Sequence, residues 1–160
     1  PLPIGFDKTI SQPFICALMA DLLAPEPTDT VLEIGTGLGY QAALLAELAG
    51  RVCSVEVVEE LATEAAIRLR ELGYANVLLR IGDGSRGWAE HAPYDRIMVT
   101  AAADAPPAAL LEQLRAGGRL VMPIGATDGQ ELMVFDRTPA GDMRARAVIP
   151  VRFTLLETVI

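Results

Sequence analysis

Histidine is nearly absent from this sequence, cysteine is scarce, and positive charge is in deficit. The single His91 excludes any multi-histidine metal site. Cys16 and Cys53 are the only two cysteines, they stand in apolar surroundings, and their separation matches no metal-ligand spacing. They are expected to be buried free thiols, as in a cytoplasmic protein. Thirteen Lys and Arg face 21 Asp and Glu, for a net charge of −8. That balance argues against a nucleic-acid partner, whose affinity rests largely on Lys and Arg contacts to phosphate. No apolar run reaches the length of a membrane span, so no membrane association is expected. Two catalytic signatures are missing as well. There is no Gly-x-Ser-x-Gly elbow for a hydrolase, and no Lys-Ser/Thr pair for a phosphate-binding P-loop.

What is present is apolar and glycine-punctuated. Half of the 160 residues (51%) are hydrophobic, enough for a substantial core in one domain spanning residues 1–160. The chain starts at Pro1 rather than Met, without a signal-peptide pattern, and is expected to be a piece of a longer product. The organising stretch is Val31-Leu-Glu-Ile-Gly-Thr-Gly-Leu-Gly-Tyr40. An apolar run ends in Gly35, Gly37 and Gly39, and an Ala/Leu-rich helical pattern follows at once. Strand, glycine turn and helix open a nucleotide-type α/β domain, with the ligand at the helix N-terminus. The spacing is G-x-G-x-G, and Tyr40 stands where the dinucleotide fingerprint requires its third glycine. Glu33 lies inside the motif, and Glu56 closes the next strand, where a carboxylate can accept from two ribose hydroxyls.

The remaining pattern alternates strands and helices. Strands are expected at Val31–Ile34, Val52–Glu56, Asn76–Ile81, Tyr94–Thr100 and Arg119–Met122. Helices are expected at Ser11–Leu23, Tyr40–Ala49, about Val58–Leu72 and Ala108–Arg115. Ser11 is expected to cap the first helix, with Pro13 in its first turn. Gly117-Gly118 is expected to stop the last. Residues 1–10 read as irregular. Gln130–Arg137 and Met143–Phe153 then form an antiparallel hairpin. After the third strand, Gly82-Asp83-Gly84 lies at the same sheet edge as the glycine motif. Asp83 there is either a simple Asp-Gly turn or an acceptor for an adenine amine. His91 reads as an exposed loop residue and Trp88 as packing.

The Glu-x-Gly-x-Gly-x-Gly turn resembles motif I of the S-adenosylmethionine (SAM) methyltransferases. Six stretches extend the likeness: Pro1–Phe14 with Thr9-Ile10-Ser11-Gln12-Pro13, Val31–Ala42, Gly82–Gly84, Tyr94–Ala102, Gly117–Gly125, and Val151-Arg152-Phe153. Together they resemble the bacterial protein-L-isoaspartate O-methyltransferases over essentially the whole chain. The resemblance implies an α/β, Rossmann-like methyltransferase fold, mostly parallel, with a C-terminal antiparallel hairpin. It implies methyl transfer from SAM to the free carboxylate of L-isoaspartyl residues in damaged proteins and peptides, leaving S-adenosylhomocysteine (SAH), with no metal, in a cytoplasmic monomer. By the same analogy Ser11 is the active-site hydroxyl beside the isoaspartyl carboxylate, and Val151 and Arg152 border the peptide groove. Thr9, Ile10, Glu33, Gly35, Thr36, Gly37 and Gly39 surround the cofactor, Glu56 takes its ribose, and Asp83 with Gly84 its adenine. The family's N-terminal helical segment is absent here. Asp7-Lys8 stands where Gly-Gln is common, and Thr154-Leu155-Leu156 where Val-Pro-Leu is common. Other readings are a carboxyl methyltransferase acting on ordinary aspartate in a peptide, a catalytically silent SAM-binding domain and, more distantly, a nicotinamide oxidoreductase.

Overall fold

A computed structural model describes residues 2–159. Its centre is a seven-stranded sheet built from alternating strands and helices. In chain order these are α1 (Pro13–Leu23), β3 (Thr30–Ile34), α2 (Tyr40–Leu48), β4 (Arg51–Glu56), α3 (Glu59–Glu71) and β5 (Val77–Ile81). There follow β6 (Tyr94–Val99), α4 (Ala108–Gln113), β7 (Leu114–Ala126), β8 (Gly129–Arg137) and β9 (Met143–Val151). A separate two-stranded hairpin, β1 (Leu2–Gly5) with β2 (Lys8–Ile10), precedes them. The sheet order is β5-β4-β3-β6-β7-β8-β9. The first five of these run parallel, and β8 is antiparallel to both β7 and β9. The expected α/β class, parallel sheet and antiparallel C-terminal hairpin are all observed.

Strand alternation divides the core in two. Val31, Val52, Met98 and Val121 pack against Met19 and Leu23 of α1 and Leu45 of α2. Their neighbours Leu32, Ile34, Cys53, Ile97, Val99 and Leu120 turn to the other face, where Leu110 of α4 and the aromatic body of Tyr94 cover them. These strands are apolar on both faces because helices cover both, the usual state of a parallel sheet.

Three local expectations are corrected. Residues 2–10 form the β1–β2 hairpin, with Leu2 opposite Ile10 and Pro3 opposite Thr9. Its reversal uses positive φ at Gly5, Phe6 and Asp7; Phe6 in that conformation carries no sequence signature. Ser11 does not cap α1: the N-cap position is Gln12, without a side-chain capping bond. Helix α4 stops at Gln113, and the chain is already extended at Leu114, which is buried opposite Tyr94. Gly117-Gly118 is therefore an irregularity within β7, where the register shifts between Tyr94 and Arg96. A Cβ on Gly118 would lie 2.8 Å from the carbonyl oxygens of Asp95 and Arg115. Close backbone approach, rather than a helix stop, requires that glycine.

Leu120 is fully buried, whereas Leu72 is 61% exposed. Leu120→Ala is expected to lower unfolding free energy by about 2–5 kcal/mol. Leu72→Ala is expected to change it by no more than about 0.5 kcal/mol. Urea denaturation of both variants checks the assignment of the core.

Candidate functional site

The chain leaves β3 toward β4 and β5, then crosses back to β6 on β3's other side. The loops after β3 and β6 therefore diverge and leave a crevice at their C-terminal ends, the switch point where open α/β sheets bind ligands. Gly35, Gly37 and Gly39 all have positive φ as the chain turns from β3 into α2. A Cβ on Gly35 would lie 2.4 Å from Thr100 Oγ1. Instead, the Thr100 hydroxyl approaches the Ile34 and Gly35 carbonyls at 3.1 and 2.9 Å, tying the end of β6 to the end of β3.

Two adjoining chambers open here and share Ile4, Thr9, Gly35, Gly37 and Thr100. The first is completed by Glu56, Gly84 and residues 154–157. The second is completed by Ile10, Ser11, Cys16, Thr36, Tyr40 and Gln41. Ser11, Thr9 and Thr100 also border a third cavity, together with Gln12, Ile15, Val151, Arg152 and Phe153. Ser11 thus stands on the divide between the glycine-rich cleft and a groove against the C-terminal hairpin. Freed from capping, it is available to a ligand on either side.

Glu56 is buried at the end of β4. Its Oε2 accepts from the Gly37 amide at 2.9 Å and its Oε1 from the Val58 amide at 3.1 Å. One carboxylate therefore holds the glycine turn while facing the first chamber, with further acceptor capacity on both oxygens. Gly84 is buried because a Cβ there would lie 2.3 Å from Ile34 Cγ2, so only glycine lets this loop settle on β3.

Glu33, Gly39 and Asp83 do not line the chambers. Gly39 occupies the N-cap of α2, with Ala65 and Leu69 of α3 against the place a Cβ would fill. Asp83 serves its own turn: Oδ1 accepts from the Ser85 amide and hydroxyl, and Oδ2 from the Val159 amide at 3.0 Å. Burial pushes its pKa upward, but the Ser85 hydroxyl, the Val159 and Ser85 amides and nearby Arg86 outweigh that and hold it below the usual range. Glu33 has no exposed surface. Its Oε1 accepts from the Ser54 hydroxyl, and Ser54 lies 2.6 Å from the Thr36 hydroxyl. With the Ser54 proton given to Glu33, Thr36 is the donor to Ser54. Burial raises the Glu33 pKa to about 8; Ser54 opposes that rise and the charge of Glu56 adds to it.

Sequence reasoning missed Thr100, Lys8, Gln41 and the segment 154–157. Thr100 was legible only as the polar end of an apolar strand. The segment carries no motif of its own. It is laid across the first chamber by paired bonds to Ala102, whose amide donates to Thr154 and whose carbonyl accepts from Leu156, both at 2.8 Å. Its Glu157 pairs with Lys8 on β2.

The chain matches the family described as protein-L-isoaspartate(D-aspartate) O-methyltransferase over residues 1–158. It belongs to that family. A protein-L-isoaspartate O-methyltransferase of Polaromonas sp. is 55% identical over 98% of this chain and 66% of its own length. One from Anaeromyxobacter dehalogenans is 53% identical over 98% of this chain and 76% of its own. The chain spans about two thirds of the length of the curated relatives it matches. A solved protein-L-isoaspartate O-methyltransferase superposes with a TM-score of 0.86 at 30% identity, over 96% of this chain and 50% of that one. A Plasmodium falciparum protein of that name, solved in complex with SAH, gives 0.81 at 22% identity, over 99% of this chain and 80% of that one. The likeness at 22% identity concerns the fold alone. Among the described residues, no helix is long and apolar enough to cross a membrane, and no cluster of metal-binding side chains occurs.

Glu33 ties the site to stability. A carboxyl whose pKa is about 8 when folded and near 4.5 when unfolded keeps its proton longer in the folded state. Stability therefore falls as pH rises between those values and levels off above the folded pKa. Glu33→Gln removes the titration, so its stability relative to the parent chain is expected to grow from pH about 5 to about 8. Urea midpoints at both pH values test this.

Proposed function

We propose that this chain transfers the methyl group of SAM to the free carboxylate of L-isoaspartyl residues in damaged proteins and peptides, initiating their repair. The observation that carries the reading is Ser11, shared between the glycine-rich cleft and the cavity bordered by Val151 and Arg152. A cofactor in the first two chambers and a peptide in the third would meet at that side chain. SAM, when bound, supplies a methyl group on a positively charged sulfur. An isoaspartyl carboxylate is ionised at neutral pH and needs no general base. The protein's task is then alignment, an effect worth up to roughly 7–11 kcal/mol.

The residues present fit such a cofactor. Glu56 offers acceptors to a ribose diol in the first chamber, and Gly84 lets the neighbouring loop close against it. Thr9, Gly35 and Gly37 border both chambers, and Ile10 and Thr36 line the second. In this reading Glu33 and Gly39 support the turn without touching the ligand, and Asp83 would meet an adenine amine through the remaining acceptor site on the oxygen that holds Val159. Ser11 orients the carboxylate, while Arg152 contributes positive charge to the acidic peptide's groove. Product SAH leaves from the same cleft.

Two outcomes test the reading. With labelled SAM and a matched peptide pair, base-labile label is expected on the isoaspartyl peptide and not on its aspartyl twin. Label on the aspartyl peptide would assign a different carboxyl substrate, and binding of SAM without transfer to either would make the chain a silent SAM-binding domain. Separately, Glu56→Ala is expected to weaken SAM binding by about 1.5–3 kcal/mol, the loss of hydrogen bonds to a charged acceptor; calorimetry showing unchanged affinity would remove Glu56 from the ribose site.

A further inference from the structure

Two Asp-Gly pairs occur in the chain, Asp83-Gly84 and Asp128-Gly129, and its one asparagine, Asn76, precedes Val77. An aspartyl carboxyl is most open to attack by the next residue's amide nitrogen when that residue is glycine, which has no side chain to obstruct ring closure. The fold treats the two pairs differently. Asp83 sits at ψ 107°, and its carboxylate accepts from the Ser85 amide and hydroxyl and from the Val159 amide. Gly84 is buried, with Ile34 filling the space a Cβ would need. Bringing the Gly84 nitrogen onto the Asp83 carboxyl would break those bonds and lift the loop from β3. Asn76 is held as well, its side-chain amide donating to the Ala46 carbonyl at 2.9 Å, and the β-branched Val77 obstructs the same closure.

Asp128 has none of these restraints. It is the second residue of the two-residue turn between β7 and β8, where Ala126 stands opposite Gly129. Asp128 and Gly129 are both exposed, and no ion pair reaches Asp128 among the described residues. Neither Thr127 nor Asp128 has a positive φ, so the turn is not one of the primed types whose twist matches a hairpin. No atom lies within 4 Å of the place a Cβ on Gly129 would fill, so the pair has room to change shape.

We propose that Asp128-Gly129 is where this chain itself becomes an isoaspartyl protein while the fold protects Asp83-Gly84, and that the altered turn is then a substrate for a second copy of the enzyme. The last clause rests on the proposed methyl transfer. In the first step the Gly129 nitrogen bonds to Asp128 Cγ and gives up its proton. The carboxyl hydroxyl leaves with that proton as water, and a succinimide remains. Water then adds to the former main-chain carbonyl of Asp128, and the bond from that carbon to nitrogen breaks. The chain now runs through Cγ, one main-chain atom longer, and the former carbonyl carbon is a free α-carboxylate. Methylation transfers the SAM methyl to an oxygen of that group and leaves SAH. Asp128 lines none of the three cavities of its own chain, so another copy must receive it. Next to the turn, the Gln130 side chain holds both the amide and the carbonyl of Phe153, so the damage falls beside a border of the peptide groove.

The test ages the intact chain at neutral pH without SAM, then digests it with a protease that cuts before aspartate and not before isoaspartate. Cleavage before Asp128 is expected to be lost progressively while cleavage before Asp83 persists. Ageing in urea should abolish both. Gly129→Ala fits the open space, with φ outside the left-handed region, and should preserve cleavage before Asp128. Fresh enzyme and labelled SAM should place base-labile label on the aged parent chain and not on the aged variant. Retained cleavage before Asp128, or equal loss at both pairs without urea, would overturn the site. Persistence of Asp83 in urea would overturn protection by the fold. Loss at Asp128 without label, from enzyme that labels a synthetic isoaspartyl peptide, would overturn the turn's role as substrate. No label on that peptide would defeat the methyl-transfer reading and the substrate clause with it, while the digest decides the site independently.

Discussion

Adjacent strands whose chain continuations leave in opposite directions cannot be covered by one loop, and the gap between β3 and β6 is the constraint on which the site depends. Thr100 holds the two strand ends together at the bottom of that gap. Gly35 can lie against it only because it has no side chain. Glu56 then fixes the turn from the neighbouring strand through the Gly37 amide. Each of these contacts joins residues far apart in sequence, so the shape of the cleft is a property of the sheet and not of the glycine motif alone.

Much of this architecture was legible because its signals are local and periodic. The apolar runs ending in Glu56 and Thr100, the glycine turn and the Ala/Leu-rich helix each carry their own pattern. The β1–β2 hairpin was not legible, since its reversal places Phe6 and Asp7 in a conformation that neither residue favours. The start of β7 was hidden because Leu114 suits a helix by propensity and is drawn into the sheet by burial opposite Tyr94. At the site, residue types were easier to name than directions. Glu33 sits in the motif and points beneath it; Asp83 lies at the correct edge and is occupied with its own turn. Segment 154–157 acquires its place only through Ala102, a contact that no local pattern announces.

The buried acid shows how a site can work against the fold that carries it. A carboxyl with no exposed surface, one unpartnered oxygen and Glu56 nearby is an unfavourable component of a hydrophobic core. Ser54 and Thr36 satisfy part of its demand and fix its direction. The apolar packing of Val31, Met98 and Leu45 on the same face offsets the rest. Local inconsistencies of this kind are where a ligand has most to gain by binding.

The first chamber is lined both by Lys8 and Thr9 of β2 and by residues 154–157, and Lys8 pairs with Glu157. During synthesis the glycine turn and both of its strands emerge long before that last segment does. A nascent chain can therefore pair β3 with β6 and bury their apolar faces while the cleft still lacks one side. Lys8 and Glu157 stand about 150 residues apart in sequence, and the intervening sheet is what brings them together. A ligand that touches both would therefore tie β2 to the end of the described chain, and its binding would stabilise the folded state beyond its contacts with the glycine turn.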